Sequence, residues 1–148
     1  FDFVPQVLVA AGATIHFHKI SIKPGRPTLF ATLPKGPLVF GLPGNPVSAI
    51  VGFHVLIAPA LAGLQGRCQV PGYHRAILKG TMGTERDRQA YYPASLRIDD
   101  NGGYEARLLS WHGSGDAIGL AGADGLIMRA PGSPPAGDGD PVLFLPLN

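Results

Sequence analysis

From Pro46 to Leu64 the chain runs PVSAIVGFHVLIAPALAGL without a single aspartate, glutamate, lysine or arginine. A stretch of this kind has two physical homes. It can cross a bilayer, which takes about 20 apolar residues, or it can be a helix covered by protein in an α/β layer, apolar all round because it meets no water. His54 falls near its middle, Pro59 in its later part, and Arg67 is the lone flanking cation. Interfacial Trp and Tyr anchors are also missing, so the expectation is a buried helix and no membrane partner.

What precedes the helix sets its context. Asp2 is placed to cap a helix running to about Gly12, with Pro5 in the first turn. ATIHFHKISIK (Ala13 to Lys23) then alternates. Ile15, Phe17, Lys19, Ser21 and Lys23 lie on one face, and His16, His18, Ile20 and Ile22 on the other. The apolar side changes partway, as in a strand that leaves one environment and enters another. KPGRP (Lys23 to Pro27) breaks it, and TLFATL and PLVFGL read as two further strands around a Pro-Lys-Gly-Pro turn. Strand, turn, strand, Gly-rich loop and helix make an α/β arrangement.

After Leu64 the pattern changes. QGRCQVPG reads as a boundary, giving an α/β region over 1–66 and a β-barrel-like region over 72–148. In the second region HRAILKGTM, RQAYYPASLRI, YEARLLSW, DGLIMRA and PVLFLPL read as strands, with Asn101-Gly102 marking a hairpin. A unit of this size is small for independent stability and is expected to pack on its neighbour. The 21 glycines and 15 prolines fall mostly between apolar runs, as turn punctuation. A net charge of +2, without a basic stripe interleaved with aromatics, argues against a nucleic-acid partner. Cys68 is the only cysteine, so no internal disulfide forms and a reducing, cytoplasmic setting fits. Opening at Phe1, almost directly in a helical pattern, the chain is expected to be a piece of a longer protein.

Three loops carry the polar chemistry. In GLPGNP (Gly41 to Pro46), Asn45 suits an N-cap and Pro46 a first helical position. The same loop would offer free N–H groups to an anion, but its spacing matches neither the phosphate loop nor the dinucleotide fingerprint. Local physics alone favours a plain helix-starting turn. Lys19, Lys23 and Arg26 form a basic edge; on one strand the two lysines would share a face roughly 13 Å apart. That edge suits two phosphates, or is simply solvated. HGSGD (His112 to Asp116) exposes Ser114 between glycines, or merely caps a short helix. His16, His18 and Cys68 lack metal-ligand spacing, no catalytic residue is identifiable, and Trp111 reads as core.

IKPGRPTLF followed by PLVFGLPGNPVSAIVGFHVLIAPAL resembles the molybdopterin molybdenumtransferase family, known as MoeA in bacteria and as the gephyrin E domain in animals. The tail WHGSGDAIGLAGADGLIMRAPGSPPAGDGDPVLFLPL is similar to that family's C-terminal β domain. The resemblance implies the second half of a three-layer, molybdopterin-binding α/β domain followed by a small C-terminal β domain. It also implies an enzyme that inserts molybdate into adenylylated molybdopterin and releases AMP, with Mg2+ held by ligands upstream of this chain. The partners implied are adenylylated molybdopterin, molybdate and a second copy in a homodimer. Lys19, Lys23 and Arg26 match the family's basic positions around the pterin phosphate and molybdate. Pro43, Gly44, Pro46 and Ser48 match its GLPGNPxS loop, and Ser114 a serine near the molybdate. Where the family's β domain usually has an arginine after an aromatic-x pair, this chain has Pro93; Arg75, Arg88 and Arg97 are candidates to take its place. The 148 residues alone are expected to be inactive, and Lys23→Ala is expected to weaken binding more than Arg88→Ala. The alternative is a non-catalytic molybdopterin-binding or scaffold and dimerisation module.

Overall fold

The computed structural model describes residues 2–67, 72–113 and 115–147. Cys68 and Ser114 lie outside them. Helix α1 (Val4–Ala10) has Phe3 as its N-cap, one residue after the Asp2 expected, and the cap itself makes no side-chain cap hydrogen bond. The Val4 amide donates to the Asp2 carboxylate (3.1 Å), and Pro5 occupies the first turn, where its missing N–H leaves no gap in the ladder.

Four short strands follow: β1 (Thr14–His18), β2 (Ile22–Lys23), β3 (Leu29–Thr32) and β4 (Leu38–Gly41). Strands β1, β3 and β4 form an antiparallel sheet in the order β1-β3-β4. The run expected as one strand from Ala13 to Lys23 is therefore two. A bulge between Ile15 and Phe17 brings both His16 and Phe17 against Phe30, with ring centroids 5.0 and 5.7 Å away. One extra residue in a strand reverses the alternation, which is why the apolar side changes. Lys19 then takes a left-handed backbone, φ 72°, and the chain leaves the sheet.

The uncharged stretch is helical from α2 (Pro46–Gly52) through a π-helical turn (Phe53–Ile57) to α3 (Ala58–Leu64). Asn45 is the N-cap, in extended backbone, without a side-chain cap bond. The widened turn precedes Pro59, which has no N–H for the Val55 carbonyl, and a proline in a helix interior relaxes the ladder in this way. The helix is not covered all round as expected. Val47, Ser48, Val51 and Gly52 are buried, whereas Phe53, Leu61 and Leu64 are exposed. By length and composition alone, Pro46–Leu64 would suffice to cross a membrane.

The remaining strands are β5 (His74–Lys79), β6 (Gln89–Ile98), β7 (Tyr104–Leu108), β8 (Gly125–Arg129) and β9 (Pro141–Pro146), with the short helix α4 (Ala117–Ala121) before β8. They run in the order β6-β7-β5-β9-β8, and β8 pairs back onto β6, closing a barrel. Strand β6 is long enough to serve both neighbours. Its residues from Ala90 to Ala94 pair with β8 and those from Ala94 to Ile98 with β7. The Asn-Gly hairpin forms as read, with the Asp99 carboxylate accepting from the amides of Asn101 and Gly103. Pro93 is tolerated mid-strand because a residue's N and C=O point the same way. Its carbonyl accepts from Leu109, just past the end of β7, so the missing N–H costs no bond inside the ladder.

Two apolar clusters hold the molecule. Ala76, Leu78, Ala94, Ala106, Ile127 and Phe144 fill the barrel, small residues alternating with large. On the barrel's outer face, Tyr91, Leu126 and Leu145 pack against Ile22, Val47, Val51 and Leu120. Strand β2 extends this seam: it pairs in parallel with β6, Ile22 opposite Gln89 and Lys23 opposite Ala90.

Candidate functional site

The basic residues Lys19, Lys23 and Arg26 sit on the tip of the β1–β3 hairpin. The tip is closed by Lys19 N–H to Thr28 O (2.9 Å), Ile20 N–H to Arg26 O (2.9 Å) and the Thr28 hydroxyl to Gly25 O (2.7 Å). Gly25 has φ 114°, a left-handed backbone that favours glycine, and a Cβ there would fall 2.8 Å from Ile22 Cδ1, so the end of that side chain would have to shift. Lys19 and Lys23 do not share a strand face, as the sequence led us to expect. The left-handed turn at Lys19 separates them, and only Lys23 belongs to a strand.

Where this tip meets the barrel there are two adjoining clefts. The first, about 360 Å³, is bounded by Lys23, Arg26, Pro43, Ser48, Arg88 and Trp111. The second, about 320 Å³, is bounded by Lys19, Ser21, Arg26, Asp87 and Arg88. Arg26 and Arg88 line both. Of the residues singled out from sequence, Lys23, Arg26, Pro43 and Ser48 therefore converge, and Lys19 joins through the second cleft. Gly44 and Pro46 are exposed and bound neither. Ser114 lies outside the described residues; its neighbour Gly113 lines the first cleft.

Arg88 and Trp111 line the first cleft without being among the site residues expected from the sequence. Arg88 was chosen as a comparison for Lys23, yet it stands at both clefts. Gln89 N–H donates to Ser21 O (3.1 Å) and the Ser21 hydroxyl to Asp87 O (3.3 Å), pinning this segment beside the hairpin tip. The other two candidates for the family's arginine point elsewhere: Arg75 is exposed on β5, and Arg97 pairs across β6 with Glu105. Pro93 itself is fully buried. Trp111, read as core, is half-buried and meets Tyr92 edge-on (6.2 Å), its indole N–H buried without a partner among the described residues.

Behind Lys23 the barrel places Glu85 and Tyr92. The Tyr92 hydroxyl donates to Glu85 Oε2 at 2.5 Å, and Lys23 Nζ lies 4.0 Å from Glu85 Oε1 and 5.9 Å from the Tyr92 ring centroid. Burial, reinforced by the bond to Glu85, pushes the Tyr92 phenol up to about 12. Asp116, whose amide donates to the carbonyl of the cleft residue Gly113 (3.0 Å), accepts from the amides of Gly119 (2.8 Å) and His112 (3.0 Å), which holds its carboxyl below the usual range. Among the described residues, no three His, Cys, Asp or Glu side chains group to hold a metal ion. The chemistry on offer is electrostatic: ammonium and guanidinium groups facing space that an anion can enter.

Comparison with known proteins finds relatives for both regions of the chain. Residues 1–63 match the family described as a probable molybdopterin binding domain, and residues 72–147 match the MoeA C-terminal region (domain IV). A molybdopterin molybdenumtransferase from Nostoc sp. is 32% identical over 152 residues, covering 99% of this chain and 35% of the relative. Another from Haemophilus influenzae is 38% identical over 115 residues, covering 76% of this chain and 28% of the relative. A crystal structure of the molybdopterin biosynthesis MoeA protein from Pyrococcus horikosii superposes with a TM-score of 0.80 at 28% identity, over 97% of this chain and 34% of that one. The chain thus spans about a third of the length of the relatives it matches. Its closed barrel, the helix packed on it and the matched sequence place the chain in the MoeA family, whose C-terminal region it carries.

Proposed function

We propose that this chain is the anion-holding C-terminal part of a molybdopterin molybdenumtransferase, an enzyme inserting molybdate into adenylylated molybdopterin with release of AMP. The observation that carries the proposal is the convergence of Lys19, Lys23, Arg26 and Arg88 on two connected clefts beside Ser48. Cations fixed around a cleft favour bringing together groups that repel one another, here a phosphate and an oxyanion, and stabilise charge as it redistributes. The first cleft takes the organic phosphate, its organic body lying along Ile22, Pro24, Pro27, Pro43 and Trp111. The second takes the smaller oxyanion, between Lys19, Arg26 and Arg88. The divalent metal expected of the reaction finds no fit among the described donors, and no step is drawn through it. No nucleophile and base are assigned, and this chain alone is not expected to turn over.

Calorimetric titration with adenylylated molybdopterin tests the proposal. Binding is expected, weakened about tenfold by Lys23→Ala, which corresponds to roughly 1.4 kcal/mol. Absence of binding, or equal affinity in the two proteins, would count against it. A homodimer and a cytoplasmic location belong to the same proposal, the first checked by sedimentation.

A second function, a scaffold or dimerisation module, has one observation in its favour. Phe3, Val7, Val9 and Leu64 are large apolar side chains more than half exposed. Binding of adenylylated molybdopterin that depends on Lys23 separates the two, since a scaffold has no use for it.

A further inference from the structure

Glu85 is an unusual companion for an anion-binding lysine. Its side chain is only 8% exposed, against 47% for Lys23. It is held beside Lys23, behind the cleft lining. Tyr92 donates to one carboxylate oxygen, and the Glu85 amide donates to Ser133 O (2.9 Å). The connection that carries it is stitched to the loop before β9 by reciprocal bonds between Met82 and Ala136 and by Gly132 N–H to Arg86 O. The barrel's own buried cation does not balance it at short range. Arg129 directs Nη2 to the carbonyls of Pro134 and Gly83, and makes no ion pair among the described residues. Lys23 is thus the charge that Glu85 faces, and the Tyr92 ring under the ammonium keeps it there.

From this we infer that Glu85 is a specificity-determining residue: a fixed counter-charge at Lys23 that lowers the first cleft's hold on free inorganic oxyanions and leaves retention to anions tethered to an organic body. A bare anion approaching Lys23 meets the ammonium's attraction and the carboxylate's repulsion together, both screened by the solvent that reaches the half-exposed lysine but opposed in sign. It gains little from the apolar wall of Ile22, Pro24, Pro27, Pro43 and Trp111. A phosphate ester with a ring system gains from that wall and keeps its phosphate at Lys23 despite the carboxylate. The ligand class assigned to the Lys23 end is therefore an organic phosphate. The assignment presupposes the anion cleft proposed above, and the two are separable by experiment.

The test is the affinity of the whole chain for inorganic phosphate, measured by calorimetry at fixed ionic strength. Glu85→Gln keeps an acceptor for Tyr92 and removes the charge. It is expected to bind phosphate at least about fivefold more tightly than the parent chain. In a Lys23→Ala background the gain is expected to vanish. Glu105→Gln, which removes the barrel carboxylate paired with Lys79 at 2.8 Å, changes net charge equally and is expected to give no gain. Should Glu85→Gln fold poorly, Glu85→Leu with Tyr92→Phe removes both hydrogen-bonding partners at once, and the same gain is expected. Loss of folding does not produce tighter binding, so a gain cannot be mistaken for damage. Equal or weaker phosphate binding in the folded variants, or a gain that persists without Lys23, would overturn the inference. Adenylylated molybdopterin bound in a Lys23-dependent way, with no phosphate gain in Glu85→Gln, sinks the role of Glu85 alone. A Lys23-dependent phosphate gain without any binding of adenylylated molybdopterin upholds Glu85 and sinks the proposed substrate.

Discussion

Lys23 stands in register with Ala90, so the cleft lysine is placed by the barrel and not by the sheet that carries the rest of its hairpin. Ala90 is 1% exposed and pairs on its other side with Arg129. Ala90→Leu is expected to cost about 1–3 kcal/mol through overpacking and also to weaken ligand binding, although Ala90 bounds neither cleft. Ala106→Leu, inside the barrel and away from β2, is expected to cost similar stability with affinity retained. Urea denaturation and titration on both variants check the contrast.

The clefts should answer to Arg88 as well as to Lys23. Because Arg88 lines both clefts, the expectation from sequence that Lys23→Ala outweighs Arg88→Ala is replaced: Arg88→Ala is expected to weaken adenylylated molybdopterin binding by the same order as Lys23→Ala and Arg26→Ala, about tenfold for a charge-assisted contact. Arg75→Ala, exposed on β5, is expected to leave it unchanged. If Arg75→Ala and Arg88→Ala behave alike, the clefts have been assigned to the wrong surface.

Gly125 opens β8 where the barrel closes. A Cβ on it would overlap the Leu145 carbonyl oxygen and the Phe144 ring. Neither can retreat, since Phe144 is fully buried and Leu145 is held in the β8–β9 ladder. Gly125→Ala is therefore expected to destabilise by about 3 kcal/mol, the upper end of the overpacking range. Gly44→Ala meets nothing within 4 Å and is expected to leave the denaturation midpoint where it was.

Alkaline pH should loosen the seam. Burial raises the Tyr91 phenol well above its usual value, with the Tyr73 hydroxyl 3.0 Å away reinforcing the shift, and Tyr92 is pushed up to about 12. A folded-state value above the unfolded one means that the folded chain holds the proton more tightly. Stability is then whole below the unfolded value near 10 and falls as pH rises beyond it. Tyr91→Phe and Tyr92→Phe should each flatten that decline when urea midpoints are followed from pH 9 to 12.

On the acid side the sign reverses. Asp116 titrates below the usual carboxylate range because two amides donate to it. Its contribution is present above the unfolded value near 3.9 and is lost as pH falls through the lower folded one. Trp111, the only tryptophan, flanks the turn and reports it by fluorescence. In Asp116→Asn the low-pH change is expected to disappear, with a looser turn at every pH.

Much of the architecture was legible because it is local. The strands of the barrel, the Asn-Gly hairpin, Pro5 in the first turn of α1 and the Asn45-Pro46 helix start all follow from residue type and spacing. What escaped depends on partners distant in sequence. Lys19 gives no sign of a left-handed backbone, since nothing in a lysine demands one, and without that turn Ala13 to Lys23 reads as one strand. The parallel pairing of β2 with β6 joins residues whose bond no local pattern announces. Closure of β6 onto β8 is likewise a property of the whole sheet. Arg88 was one of three candidates for the family's arginine, and nothing local singled it out, because the Ser21–Gln89 bond beside it joins segments far apart in sequence. The helix from Pro46 was read as covered all round because composition records only that charges are absent, not which side meets the barrel.

The membership of Ile22 and Lys23 in the barrel's ladder has a consequence for how the clefts exchange their contents. Residues on either side of them belong to the hairpin, and the seam beneath is packed with Val47, Val51 and Tyr91. Swinging the barrel away from the helix would tear the ladder and expose that seam together. Ligand exchange on the proposed function is therefore expected to leave the floor of the clefts in place. On the proposed function, traffic would pass over the side chains of Arg26, Arg88 and Trp111, and residence time is expected to follow them rather than the relative motion of the two halves.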